Sequence, residues 1–380
     1  MNKKIWYAPN KFESYGKEEI KAVVDSLNDG WLAGFGPKTV EFENKIAKEF
    51  GKKYGIFVNS GSSACLLALA SLNLPKGSKV ITPALTFSTT LAPIIQLGYK
   101  PIFIDSNLTS YVPEVDSIVE AVTEEVKAIM IPNLIGNKPD WKSLKEALKS
   151  IGREDIFVIE DSADTITYTE ETNISTTSFY ASHIITAGGM GGMVMFNDKS
   201  QMKRALMYRD WGRIGDNSED MSDRFAHSVD GISYDYKFLY GVLGYNMKCA
   251  EANAAFGLVQ LQKFQTYKDT RRANIERYLE LLDGVGDLVL PDDSIKPNWL
   301  AIPLQSERRF ELLHYLEENN IQTRVTFAGN VTRHPAYREY LQEFPNADLV
   351  MRNGFLLGAH HGMDIDDVNY VCDKIKQFFS

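Results

Sequence analysis

Short apolar or β-branched runs recur along residues 50 to 200, each followed by a polar turn and a helix-like stretch. They include Val80-Ile81-Thr82, Ile102-Phe103-Ile104, Ala128-Ile129-Met130-Ile131 and Phe157-Val158-Ile159. Segments with helical spacing, such as 115–122 and 141–148, lie between them. This alternation predicts an α/β fold, a mostly parallel sheet with helices on both faces. Ligands of such sheets sit outside the carboxyl ends of the strands. Residues just after the apolar runs are therefore the first candidates for chemistry.

The pattern changes further on. Residues 205–245 are irregular and rich in Asp, Gly and Tyr, which predicts a long functional excursion or a poorly ordered one. Residues 250–282 carry apolar positions at helical spacing. In the last segment Val368, Val371, Cys372, Ile375 and Phe379 share one helical face. Two domains are expected: a large one over 1–250 and a smaller C-terminal α+β domain over 251–380, with the N-terminal segment placed to pack on the smaller. No internal repeat or low-complexity linker interrupts them.

Composition narrows the class. A chain of 380 residues with 44% hydrophobic and 24% charged residues can bury a sizeable core. The net charge of −9 argues against a nucleic-acid partner, though not against a local basic pocket. The start Met1-Asn2-Lys3-Lys4-Ile5-Trp6 lacks an apolar leader core, and no run of about 18 apolar residues occurs. No membrane partner is expected. Three dispersed cysteines, Cys65, Cys249 and Cys372, suggest a reducing, cytoplasmic compartment. They cannot supply four thiolates to an iron–sulfur cluster within one chain. His334 and His360-His361 have no metal-like spacing with carboxylates, so no metal site is expected.

Several turns carry candidate chemistry. Asn59-Ser60-Gly61-Ser62-Ser63-Ala64 opens a helix after an apolar strand, so its N–H groups and the helix dipole can hold a phosphate. Gly and Ser also serve as ordinary caps at such turns. Phe87 follows the next strand, where a ring can stack on a ligand or simply join the core. Ile159-Glu160-Asp161-Ser162-Ala163-Asp164 closes a buried strand, and strand-end acids are also common helix caps.

In this order, these motifs resemble the fold-type-I pyridoxal phosphate (PLP) enzymes of the sugar-nucleotide aminotransferase (DegT) family, over about residues 10–380. The resemblance implies a large domain with a sheet of the seven-stranded type. It implies Gly61, Ser62 and Ser178 at the cofactor phosphate, Phe87 on the pyridine face, Asp161 at the ring nitrogen and Asp164 near the ring hydroxyl. Gly244-Tyr245-Asn246 matches a motif whose Asn reaches the phosphate of a neighbouring subunit, so Asn246 implies a homodimer with shared sites. Trp31, in Trp31-Leu32-Ala33-Gly34-Phe35-Gly36-Pro37, matches the substrate-side loop.

The departure from the family is at His183. The segment Ser178-Phe179-Tyr180-Ala181-Ser182-His183 has histidine where the family carries its cofactor-binding lysine, and no lysine lies between Lys149 and Lys199. Imidazole cannot form a Schiff base, but it can move protons near neutral pH. The resemblance is then to the 3-dehydratases of NDP-4-keto-6-deoxy sugars. Arg209-Asp210-Trp211-Gly212-Arg213, Tyr234-Asp235-Tyr236-Lys237 and 326–333 look like the CDP-sugar enzymes, which ligate an iron–sulfur cluster by cysteines between the first two segments. Here 214–225 contains no cysteine. The GDP-sugar enzymes also carry histidine, lack a cluster and take their amino group from glutamate.

The expected activity is therefore a cluster-free, pyridoxamine phosphate (PMP)-dependent loss of the C3 hydroxyl, with His183 as base, in deoxysugar and lipopolysaccharide O-antigen synthesis. Arg324 and Asn330 are candidates for substrate binding; a plain surface ion pair is an equal reading of Arg324. Two alternatives stand beside it. One is an enzyme of different outcome on the same scaffold, transferring an amine or using a reductase partner; the other is a non-catalytic sugar-nucleotide binder. Two further departures are the shortened segment between Asp164 and Ser178 and the altered run Gly188-Gly189-Met190-Gly191-Gly192.

Overall fold

The computed structural model describes residues 3–214 and 218–380. Met1 and Asn2 lie outside the described residues, as do Gly215, Asp216 and Asn217 of the cysteine-free interval.

The apolar runs form a seven-stranded sheet. Its strands are β1 (Tyr54–Val58), β2 (Lys79–Pro83), β3 (Lys100–Ile104), β4 (Val126–Pro132), β5 (Phe157–Asp161), β6 (Ile174–Ser178) and β7 (Gly192–Phe196), in the order β1-β7-β6-β5-β4-β2-β3. β2 through β6 run parallel, and β7 is antiparallel to both β1 and β6. Helices cover both faces, so β4 is apolar along most of its length rather than alternating. Ala128, Ile129, Met130 and Ile131 of β4 are all fully buried. The fold is that of the fold-type-I PLP enzymes, as the sequence predicts.

The parallel strands deliver their carboxyl ends to one edge. That edge receives Phe87 after β2, Asn133 after β4, Asp161 at the end of β5 and Ser178 at the end of β6. The turn after β1 is locked by Ser60, whose hydroxyl accepts the Ser63 N–H at 3.1 Å and caps the helix Gly61–Leu72. Gly192 opens β7 at the same edge. A side chain there would come within 2.4 Å of the Ser60 backbone, so the close crossing of β7 and the Ser60 turn requires glycine.

The region expected to be irregular holds more structure than its composition suggests. The helix Lys199–Arg209 runs into it, and a short hairpin pairs β8 (His227–Val229) with β9 (Ile232–Tyr234). The helix Glu251–Leu282, 32 residues long, then crosses the molecule. Its first half packs Ala254, Leu258 and Phe264 with Phe42, Phe57 and Phe179; its second half packs Ile275, Tyr278 and Leu282 under the C-terminal sheet. That sheet has β12 (Gly354–Leu357) between β10 (Ile302–Gln305) and β11 (Thr323–Val325), all antiparallel. The helix Ile365–Phe379 buries Val368, Val371, Cys372 and Ile375 against it. Ile5 joins this sheet's edge: its N–H donates to Asn320 and its carbonyl accepts from Gln322.

Phe42 is the pivot of the second core. It is fully buried, meets Phe57 edge-on with centroids 5.2 Å apart and lies 4.9 Å from Phe179. Gly257 makes room for it; a Cβ there would sit 2.6 Å from the ring. Phe42→Ala should cost about 3–5 kcal/mol, read as a lower urea midpoint at fixed protein concentration with the far-UV spectrum retained.

Candidate active site

The carboxyl edge of the sheet encloses a cavity of about 300 Å³. Seven of the sequence candidates line it: Gly61, Ser62, Phe87, Asp161, Asp164, Ser178 and His183. They arrive from four separate strand ends, those of β1, β2, β5 and β6, which is why no short motif contains them.

The phosphate end is built from the first turn of the helix Gly61–Leu72. Gly61 lies so close to Ser178 that a side chain would come within 2.7 Å of the serine Cβ. The backbone can therefore approach a ligand alongside the Ser178 hydroxyl. The Ser62 hydroxyl donates to Thr89 at 3.0 Å, and the positive end of the helix dipole points the same way.

The acid wall is Asp161 and Asp164, both buried. Burial pushes the Asp161 carboxyl up, and donors pull it back. Thr90 donates its hydroxyl to Oδ2 at 2.7 Å and Thr176 donates to Oδ1 at 3.3 Å, while the Cys65 thiol also acts on it. Asp164 is pushed up to about 7 by burial, opposed by the Ile135 N–H that donates to Oδ2 at 2.8 Å. His183 stands against this wall, its Nε2 3.9 Å from Asp164 Oδ1 and its side chain 17% exposed. Burial holds the imidazole down at about 4; the Ser178 backbone opposes this and the Arg271 guanidinium reinforces it. A neutral imidazole has a free ring nitrogen able to accept a proton.

Two aromatic rings complete the cavity. Phe87 is 53% exposed, unlike a core phenylalanine, and meets Phe327 edge-on at 6.3 Å. Phe327, Cys65, Thr90 and Tyr180 were not picked out as site residues from the sequence, although all four line the cavity. For Thr90 a signal existed, since it stands one helical turn after Phe87.

The other candidates lie elsewhere. Asn246 is exposed, and its backbone pairs with Asp210 at the surface. Trp31 is 47% exposed on the N-terminal loop. Arg324 is exposed, donates to the Thr323 carbonyl and lies over the Tyr7 ring at 5.4 Å. Asn330 requires a correction. It is fully buried, donates to the Gln342 carbonyl and Asp348 at 2.9 Å each, and accepts from Thr332 at 2.6 Å. Its amide is consumed in capping a turn, leaving nothing for a substrate.

The cavity fits PLP or PMP. Its helix terminus and two serines suit a phosphate, and Phe87 suits the face of a flat ring. Asp161 is a buried carboxylate with hydroxyl partners and no cation among its bonding groups, which suits a protonated ring nitrogen. Among the described residues no lysine lines it. The described residues also hold no cluster of three or more metal-ligating side chains and no helix long and apolar enough to cross a membrane.

Residues 13–376 match the DegT/DnrJ/EryC1/StrS aminotransferase family, and the chain belongs to it. This is a family of PLP- and PMP-binding, sugar-modifying enzymes. Among its relatives is the lipopolysaccharide biosynthesis protein RfbH of Salmonella typhimurium, 34% identical over 96% of this chain and 90% of that protein. The dTDP-4-dehydro-2,6-dideoxy-D-glucose 3-dehydratase of Saccharopolyspora spinosa is also 34% identical, over 90% of this chain and 80% of that one. A solved structure of the E. coli GDP-4-keto-6-deoxy-D-mannose 3-dehydratase with bound hydrated PLP superposes with a TM-score of 0.86 at 25% identity, covering 98% of this chain and all of that one. Amine-installing relatives match too, such as a GDP-perosamine synthase of E. coli O157:H7 at 29% identity over 98% of this chain and 99% of that one.

A cofactor held without a lysine should leave no covalent mark. Borohydride treatment of the PLP-loaded protein, followed by intact-mass measurement, should return the unmodified mass. A stable cofactor adduct on any lysine would contradict this arrangement.

Proposed function

We propose that the protein is a PMP-dependent 3-dehydratase of an NDP-4-keto-6-deoxy sugar, with glutamate as amino donor and no iron–sulfur cluster. The observation that carries the reading is the imidazole of His183 on the wall of the Asp161 cavity, at the position where the family has lysine. The 3-dehydratases among the relatives support the same direction.

Bound in the cavity, PMP supplies a primary amine for the sugar C4 ketone and a ring that accepts electrons. Gly61, Ser62 and Ser178 would hold the phosphate, Asp161 would keep the ring nitrogen protonated, and Phe87 would cover one face. His183, a neutral imidazole, would serve as the base through its free ring nitrogen. Asp164 stands beside that imidazole, its Oδ1 3.9 Å from Nε2. As the C3 hydroxyl leaves, the same histidine returns a proton to it. The overall products would be the 3-deoxy ketosugar and ammonia, with glutamate as the source of the amine. Trp31 and Arg324 contribute to the sugar-nucleotide side. Lipopolysaccharide or O-antigen synthesis in the cytoplasm is the setting this chemistry serves. Incubating CDP-, GDP- and dTDP-4-keto-6-deoxy sugars with glutamate and the enzyme tests this directly. Mass spectrometry should show loss of one oxygen from one of them; a product carrying nitrogen would replace this reading with amine transfer.

His183→Asn should abolish deoxygenation, by about 100- to 10,000-fold, while PMP binding, followed by its absorbance, is largely kept. His183→Lys should restore a covalent link to PLP. Full turnover by the asparagine variant would remove His183 from the base role.

We further propose a homodimer in which the exposed Asn246 reaches the partner's cofactor phosphate. Mixing inactive Asn246→Ala and His183→Asn chains, once tagged subunits are shown to exchange, should restore part of the activity. No recovery after verified exchange would make Asn246 an intrachain turn residue.

A further inference from the structure

Behind the acid wall runs a line of hydrogen bonds that neither the proposed chemistry nor the fold alone explains. It begins at Arg271, in the middle of the helix Glu251–Leu282. This guanidinium is fully buried and donates from Nη1 to the Leu300 carbonyl at 2.6 Å. Its Nε and Nη2 are buried without a hydrogen-bond partner among the described residues, and burial lowers its affinity for the proton. The Leu300 N–H donates to the Ile135 carbonyl at 2.7 Å, and the Ile135 N–H donates to Asp164 Oδ2 at 2.8 Å. The other oxygen of Asp164 lies 3.9 Å from His183 Nε2.

Ile135 holds this line together in a conformation that L residues avoid. It has φ 63° and ψ −7°, the left-handed region, which is an outlier for a β-branched residue. Such strain persists only where the surroundings impose it. The surroundings here are the irregular segment leading into β10. The Trp299 indole donates to Asn137 Oδ1 at 2.9 Å, and a side chain on Gly136 would meet the Asn298 carbonyl at 2.5 Å. The turn 134–137 is held against 298–300 at three successive residues, Ile135, Gly136 and Asn137.

We infer that Arg271 is a positioning residue for His183, acting through the strut Leu300–Ile135–Asp164. The inference rests on the proposed role of His183 in proton transfer. A buried cation with a single hydrogen bond is a costly way to brace a fold, and an apolar side chain of similar length would serve stability as well or better. Its retention is explained when the brace must hold a carboxylate at a set place beside a base, since small displacements of catalytic groups are expensive in rate. The ionisable groups around His183 come from three directions: Asp161 and Asp164 from the end of β5, Arg271 from the long helix, and Tyr7 from the N-terminal segment. Tyr7 lies within electrostatic reach of both Asp164 and Arg271.

The test is Arg271→Met in the PMP-loaded enzyme. Four readings are expected together. The melting temperature should be unchanged or higher. kcat for deoxygenation should fall about tenfold or more, with KM within about twofold. The His183 ring titration, followed by NMR of ring-labelled histidine and assigned by its loss in His183→Asn, should move upward, because a nearby positive charge is gone. Wild-type kcat with a wild-type His183 titration overturns the proposal, and so does a lowered melting point with unchanged kcat.

Should the methionine variant not fold, Arg271→Lys decides. It keeps the charge and one donor. Hydrogen exchange over 133–137 and 298–301, read by mass spectrometry, reports the strut, and kcat must follow it. Retained protection with kcat within about threefold of wild type, or loss of both, supports the strut. Loss of either one without the other overturns it. If the wild-type protein shows no deoxygenation on any sugar tested, the proposed function fails; the titration and exchange readings still judge the strut.

Discussion

Two carboxylates buried without a cation are the constraint around which the site is arranged. Asp161 and Asp164 lie at the end of a strand covered on both faces, and among the described residues no lysine or arginine lines the cavity they share. An unpaired charge in that place is expensive, so each acid recruits neutral donors. Asp161 takes two threonine hydroxyls, and Asp164 takes a backbone N–H from a residue forced into the left-handed region. Much of the local architecture follows: the Thr90 helix start after β2, the Thr176 register of β6 against β5, and the clamp of 298–300 on the turn after β4. The same shortage of internal cations suits the cavity to a ligand that brings its own positive ring.

The histidine gains its meaning from these neighbours. A lysine at that position would add a cation and a covalent anchor to a cavity that has neither. Imidazole held below its usual range by burial is neutral, so it adds no charge and keeps one ring nitrogen basic. The exchange of one side chain thus changes what the cavity can do without changing its walls. Membership of the family and the absence of its lysine from the cavity are thus compatible in one chain.

The fold was largely legible because buried parallel strands leave continuous apolar runs between helical segments, and these runs became β2 to β5. The cavity residues were legible by their order along the chain: Gly61, Phe87, Asp161, Ser178 and His183 each follow a strand. What stayed hidden has physical causes. Ile135 reads as one more apolar residue after a strand, since sequence does not display a positive φ. Arg271 sits among other charged residues of a long helix, and nothing in the spacing marks it as the one buried. Phe327 comes from the C-terminal half and reaches the cavity only through tertiary packing. Asn330 misled because a motif position can be kept for its own turn: Gln342, Asp348 and Thr332 occupy its amide completely.

The glycine run after His183 has a consequence for how this loop tolerates change. The loop is anchored at both ends, by Ser178 packed on Gly61 and by Gly192 packed on the Ser60 turn. Between them the Thr186 hydroxyl ties Phe179 to Gly189, and Gly188, Gly189 and Gly191 all adopt positive φ. A residue gained in this stretch is therefore taken up as slack where the backbone has no side chains to obstruct it. The histidine lies on the other side of the Thr186 tie. Length variation and the placement of His183 are mechanically decoupled, so the loop can change in sequence while the imidazole stays where it is.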